Sequence, residues 1–368
     1  MAGAIGGLAG GLIALQLDDD PPEVPAVVAQ PTSEPTPGEG ERLREAIARV
    51  LPAVVTVLVD LPSIPQEDGS VLLRTNFGSG IVVSGEGHVI TNFHVVDGAA
   101  TITIVLQNGE RRPALLLADD APFTDLAVLV TEPRGLRAAP LGDSDALELG
   151  EPLAAISSGV ITFENQVKLG VFSSRQPAFP RDGVLLLDML QTDAAINNGD
   201  SGGALVNTSG EVVGLITTVV RTSGGREIGG VAIAHSSNSF RSIVEAVITT
   251  SVNPRARLGI ERLNSQHVSL SPELIEAFSA ENGDVGELPV SQGALIVSVA
   301  PGSPAENAGV LPGDVIVGVD GVAVDENNPF ANLLAFATVG VGLDLFVVRG
   351  DEQLVIPVVP QLIAGALS

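Results

Sequence analysis

Two hydrophobic periods take turns along this chain. Leu43, Ile47 and Val50 return at helical spacing and Pro52 stops them, so residues 41–51 read as a short amphipathic helix. The period then shortens. Apolar runs at 53–58, 80–83, 88–91, 101–106, 112–117, 126–130, 152–156, 184–190, 204–206, 212–219 and 231–234 are separated by glycine or polar turns. Asn108-Gly109, between two of these runs, is a strong hairpin signal. Many short strands punctuated in this way predict a closed antiparallel architecture. A second helical face, Phe240, Ile243, Val244 and Val247, occupies 236–251, and Asn253-Pro254 marks a boundary. Beyond it the pattern is mixed. Ser303 with Glu306 forms a capping box, Pro304 takes the first helical position and Gly309 closes the turn, while Pro329 starts another helix through about Thr338.

Candidate chemistry sits in three of the turns. In Gln191 to Leu205, glycines crowd one serine, Ser201, just before an apolar run. A nucleophilic hydroxyl needs that setting, because it must stand clear of the backbone while N–H groups converge on the oxyanion formed by its attack. His94 closes the apolar run Val89 to Phe93, and Asp125 heads the run Leu126 to Val130. Read singly, these are a glycine turn, a structural histidine and a strand cap. Read together, the order His, Asp, Ser is that of the chymotrypsin-type triad. Ser201 would attack, His94 would carry the proton, Asp125 would orient the imidazole, and the N–H groups of Gly199 and Ser201 would hold the oxyanion.

The segments Thr91 to Val96, Thr124 to Val128 and Asn197 to Ala204 resemble the signature blocks of the HtrA (Deg) family of serine proteases, and the resemblance covers about Glu41 to Pro360. It implies a mainly β chain: a chymotrypsin-like double β-barrel protease domain plus a C-terminal α+β PDZ domain. His94 and Asp125 would lie in the first barrel and Ser201 in the second. Arg257, Leu258, Gly259 and Ile260 resemble the carboxylate-binding loop and first groove strand of the PDZ domain, which takes an extended peptide C-terminus by strand addition. Residues that line the primary pocket in similar enzymes map to Ile196, Val219 and Val220, which are all aliphatic, so a small aliphatic residue is expected before the cut site. The stretch Ser173 to Gly183, where the family senses the state of its PDZ domain, carries Arg175 and Arg181 as candidate sensors. Two departures stand out. The family usually has proline and asparagine around the nucleophile, where this chain has Asn198 and Asp200, and Ser157 to Val160 replaces a common Gly-x-Pro-x-Gly loop.

Composition narrows the partners. The chain has 368 residues, 45% hydrophobic, with a formal net charge of −26, a surface that repels nucleic-acid phosphates. It contains no cysteine, which excludes disulfides, thiol catalysis and Cys-ligated metal, and its four histidines are too scattered to suggest a metal site. No cofactor is expected. Lys168 is the only lysine. Residues 1–17 are apolar except for Gln16 and end at Asp18-Asp19-Asp20, which reads as the remnant of a membrane anchor or export signal rather than a flexible tail, and 18–40 as a proline-rich acidic spacer. The expected organisation is therefore a protease domain over 41–253, a PDZ domain over 254–361 and a tail over 362–368. The acidic 283–291 stretch reads as a solvated loop.

The resemblance also implies an extracytoplasmic, anchored or secreted enzyme, a homotrimer, that cuts unfolded exported proteins. Two rivals stand beside it: a site-specific protease of one membrane partner, and a non-proteolytic chaperone or PDZ peptide-binding protein.

Overall fold

Helix α1 (Glu39–Val50) forms where Leu43, Ala46 and Val50 return every three to four residues, and all three are buried. Pro52 forces one tight turn over Leu51–Ala53, and the chain leaves it extended. The structure is a computed structural model that describes residues 39–65, 71–159, 164–181, 184–197, 199–219, 222–223, 226–227, 231–262 and 292–362. The expected anchor, the spacer up to Gly38 and the 283–291 loop lie outside the described residues. Glu39 and Gly40, expected to end the spacer, instead open α1. Among the described residues no helix is long and apolar enough to cross a membrane.

Strands β1 (Val54–Pro65), β2 (Val71–Val82), β3 (His88–Asn92), β4 (Thr101–Val105), β5 (Arg111–Asp119) and β6 (Leu126–Thr131) close into a barrel in the order β1-β2-β3-β6-β5-β4. Its interior is filled by residues such as Val57, Ile81, Ile90, Ile104 and Leu129, none of them exposed. A short helix, α2 (Phe93–Val96), links β3 to β4. At the expected hairpin the turn takes residues 106–110. Gly109 has φ +80° there, and Leu106 and Glu110 exchange a backbone bond of 2.9 Å.

A second closed barrel joins β7 (Pro152–Ser158), β8 (Asn165–Arg181), β9 (Val184–Thr192), β10 (Ala204–Val206), β11 (Val212–Val219) and β14 (Ala232–Ser236) in the order β10-β11-β14-β9-β8-β7. Two short strands, β12 (Thr222–Ser223) and β13 (Arg226–Glu227), form a ribbon between β11 and β14. The sequence pattern missed β8, the longest strand. Pro177 and Pro180 interrupt it, and its alternation is inverted at the start, with Val167 and Leu169 exposed and Lys168 turned inward. Helix α3 (Ser237–Thr250) buries Phe240, Ile243, Val244 and Val247. Ser236 caps it by accepting from Ser239 N at 3.2 Å.

The C-terminal region adds a sheet of β15 (Ile260–Arg262), β16 (Ala294–Val299), β17 (Val315–Val319), β18 (Val322–Ala323), β19 (Leu343–Arg349) and β20 (Glu352–Val358), packed with α4 (Pro304–Ala308) and α5 (Phe330–Ala335). The Ser303 cap accepts from Glu306 N at 3.2 Å, and Gly309 ends α4 at φ +87°. Helix α5 stops at Ala335, short of Thr338, because Ala337 N turns back to Leu334 O.

The Asn253-Pro254 junction is bolted down. Asn253 Nδ2 donates to Asp120 Oδ1 at 2.9 Å, and Arg255 Nε donates to the same carboxylate at 3.0 Å. The Arg255 guanidinium also lies 5.3 Å from the Phe123 ring centroid. On the other side, Asn332 of α5 exchanges two bonds with the Leu185 backbone, at 2.9 and 2.6 Å.

Candidate active site

The seam between the barrels brings the three singled-out turns together. His94 sits in α2, directly after β3, and Asp125 stands one residue before β6, the strand paired with β3. The Asp125 carboxylate accepts from His94 Nδ1 at 2.5 Å and from the His94 backbone N at 2.9 Å, so one side chain sets both the ring and the helix entrance. Burial raises the Asp125 pKa, but the His94 hydrogen bonds and the charges of His94 and Arg181 outweigh it and hold the carboxyl below its ordinary range. Two second-barrel residues reach across to it. Arg181, at the end of β8, donates to Asp125 Oδ2 at 2.6 Å, and the buried His235 on β14 accepts from Asp125 N at 3.3 Å. Burial drives the His235 pKa down to about 4, so its ring stays neutral.

Ser201 lies three residues before the start of β10. Its carbonyl accepts from Ser79 N of β2 at 2.7 Å, which pins the serine turn to the first barrel. Gly202 permits that approach: at φ +81°, a Cβ there would fall 2.0 Å from Ser79 O and 2.5 Å from Thr91 Oγ1. Ser201 Oγ donates to Thr217 O at 3.2 Å, and among the described residues no hydrogen bond joins it to His94. Asn92, next to α2, donates to Thr217 Oγ1 at 2.9 Å and to Asp125 O at 3.2 Å, linking both halves of the site. Gly199 takes φ +98°, beside the buried Asp200.

The remaining candidates are spread more widely. Ile196 is 5% exposed and packs among Leu190, Leu205 and Phe172. Val219 ends β11, and Val220 lies outside the described residues. Leu258 is a core residue, and its carbonyl accepts from Ala305 N at 3.0 Å; the Gly259 carbonyl accepts from Ala300 N at 2.8 Å. Ile260 opens β15, half-buried against the same core. Arg257 is turned toward the first barrel, where Nη2 donates to Asp119 O at 2.8 Å. Of the two candidate sensors, Arg175 pairs with Asp188 and Asp145, and Arg181 alone reaches the Asp125 carboxylate. Sequence reasoning missed His235, which had no periodic or motif signal, and the roles of Lys168 and Ser157 around Asp200. The lone lysine and the unusual Ser157 stretch were visible, but not that they meet.

Comparison with known proteins agrees with this fold. The trypsin-like peptidase domain family matches residues 78–215 and the PDZ domain family residues 295–349. A putative serine protease HhoA of Synechocystis sp. is 32% identical over 281 residues, which cover 75% of this chain and 68% of the relative. A probable periplasmic serine protease do/HhoA-like of Haemophilus influenzae is 32% identical over 349 residues, 87% of this chain and 71% of the relative. Among solved structures, the HtrA-type protease AlgW with decapeptide superposes with a TM-score of 0.53 at 28% identity, over 88% of this chain and 99% of that one.

Proposed function

The chain belongs to the HtrA/DegP family of trypsin-like serine endoproteases with one PDZ domain, and from that premise we propose that His94, Asp125 and Ser201 form its catalytic triad. The 2.5 Å bond from His94 Nδ1 to Asp125 carries the reading, because it leaves Nε2 as the nitrogen that accepts the serine proton. On substrate binding the Ser201 hydroxyl turns from Thr217 O to His94. Oγ attacks the carbonyl carbon, its proton passes to Nε2, and the same proton leaves on the departing amine. Water then repeats the sequence on the acyl-enzyme. The N–H groups of Gly199 and Ser201 stabilise the oxyanion, worth about 3 kcal/mol per donor.

Unfolded exported proteins are the proposed substrates, cut after small aliphatic residues that enter a pocket bounded by Ile196, Val219 and Val220. The PDZ region, with the stretch Arg257 to Ile260 at its entrance, would take peptide C-termini. Relatives named as periplasmic support an extracytoplasmic site of action, and a homotrimer is the assembly we propose. The test is cleavage of unfolded casein by wild type and by Ser201→Ala, with and without peptides ending in a hydrophobic carboxylate. Cleavage should vanish only in the variant and rise with peptide. Equal suppression of aggregation by both proteins, with neither cutting, would favour a binding protein instead.

A further inference from the structure

Three oddities of this chain meet at one carboxylate: its single lysine, its divergent serine stretch and the aspartate beside its nucleophile. Asp200 is 4% exposed. Its Oδ1 accepts from Ser157 Oγ at 2.5 Å, and its Oδ2 accepts from Asn197 N at 2.5 Å and pairs with Lys168 Nζ. Its backbone is engaged as well, with Asp200 N donating to Asn197 O at 3.1 Å and Gly203 N donating to Asp200 O at 2.9 Å. One residue therefore braces the turn on both sides of Ser201. A carboxylate this buried is expensive without a cation, and removing one partner of such a pair strands the other charge.

The strand that supplies the cation is arranged for it. On the outer face of β8, Leu169 is 62% exposed and Val167 39%, whereas only 18% of the Lys168 side chain is. A barrel strand that points two aliphatic residues at solvent and a lysine inward gives up hydrophobic burial to place a charge. Gly170, two residues on and thus on the same face, shows how closely the strand lies to the serine segment. A Cβ there would fall 2.5 Å from Ala194 N and 2.6 Å from Asp193 Oδ1, while Val171 N donates to that carboxylate oxygen at 2.7 Å.

We infer that Lys168 is a positioning residue for catalysis: through Asp200 its ammonium holds Gly199 and Ser201 with their N–H groups turned toward the scissile carbonyl oxygen. The inference rests on the reading that Ser201 is the nucleophile. Lys168 does not touch substrate. Its effect falls on the transition state, where the oxyanion exists, so it belongs in kcat rather than KM.

The absence of cysteine allows a charge-specific test. In Lys168→Cys the new thiol is the only one, and 2-bromoethylamine alkylates its sulfur, releasing bromide and a proton and rebuilding an ammonium of lysine length. Iodoacetamide gives a neutral adduct of similar size. Turnover of fluorescein-labelled casein is followed for wild type, Ser201→Ala, Lys168→Cys and both adducts, with thermal melts to confirm folding. Expected are a kcat lowered about 100-fold in Lys168→Cys with KM within about threefold, recovery of at least about tenfold by the amine adduct, and none by the amide. Lys168→Cys at wild-type kcat, or equal recovery by both adducts, overturns the inference while a silent Ser201→Ala keeps the triad reading. Turnover by Ser201→Ala overturns both. Should Lys168→Cys not fold, Lys168→Arg retaining kcat that Lys168→Gln loses supports the same conclusion, and equal rates in the two reject it.

Discussion

Asp125 and Asp200 are both buried carboxylates beside the proposed reacting groups, and both take a cation from β8, Arg181 at one end and Lys168 near the other. They are built differently. Asp125 takes one bond from the imidazole Nδ1 and one from the His94 backbone N, and Arg181 shares the oxygen already engaged by the ring. Asp200 bonds neither His94 nor the Ser201 hydroxyl and acts on the serine turn through backbone, bonding Asn197 N and lying between Gly199 and Ser201. In the proposed mechanism the first arrangement sets a proton acceptor, the second a pair of donors. An ion pair at the first site is therefore one support among several, whereas at the second it is the sole charge compensation found among the described residues.

That contrast can be broken at several points. The largest effect is expected from Asp125→Asn, which keeps the shape but misorients the imidazole; kcat on casein should fall about 10⁴-fold with the melting temperature nearly kept. A loss below tenfold would make Asp125 a structural residue and erase the distinction. Next comes what lies behind Asp125. His235 has a folded pKa of about 4, below the ordinary 6.5 of the unfolded chain, so the unfolded state takes up the proton first as pH falls. Stability is full above pH 6.5 and lost between 6.5 and 4, by roughly 3 kcal/mol. Thermal melts across that window should slope more steeply in wild type than in His235→Gln; parallel curves would mean that His235 does not titrate there. The smallest effect is expected from Arg181→Gln. With both His94 bonds retained, kcat should drop about tenfold or less. A fall matching that of Asp125→Asn would show that Arg181, not the carboxylate geometry, carries the site.

Much of this was legible in the chain. Most of the strands were readable as short apolar runs between glycine and polar turns, several of them, such as β3 and β14, buried along their whole length; their grouping into two barrels came with the family resemblance, and α1, α3 and α4 were readable because their caps and stop residues are local. The residues of the proposed triad stood out because each sits in a turn of its own beside a strand. Strand β8 was not legible: its prolines and its outward-facing Val167 and Leu169 contradict the usual pattern, and only barrel closure decides which face of a strand is inside. The length of α5 was overestimated because a local backbone turn, Ala337 N to Leu334 O, ended it without a proline or glycine to mark the place. His235 carried no signal, because a buried histidine on a strand looks like any other strand residue until its neighbours are known.

By itself the sequence determined the residue types, their order along the chain and the local conformations around them, since backbone sterics and hydrophobic period act over a few residues. Only the tertiary structure decided which charges meet. Lys168 finds Asp200 and Arg181 finds Asp125 across long stretches of chain because the closing barrels remove these groups from water, and a buried charge must end beside a counter-charge or a hydrogen bond.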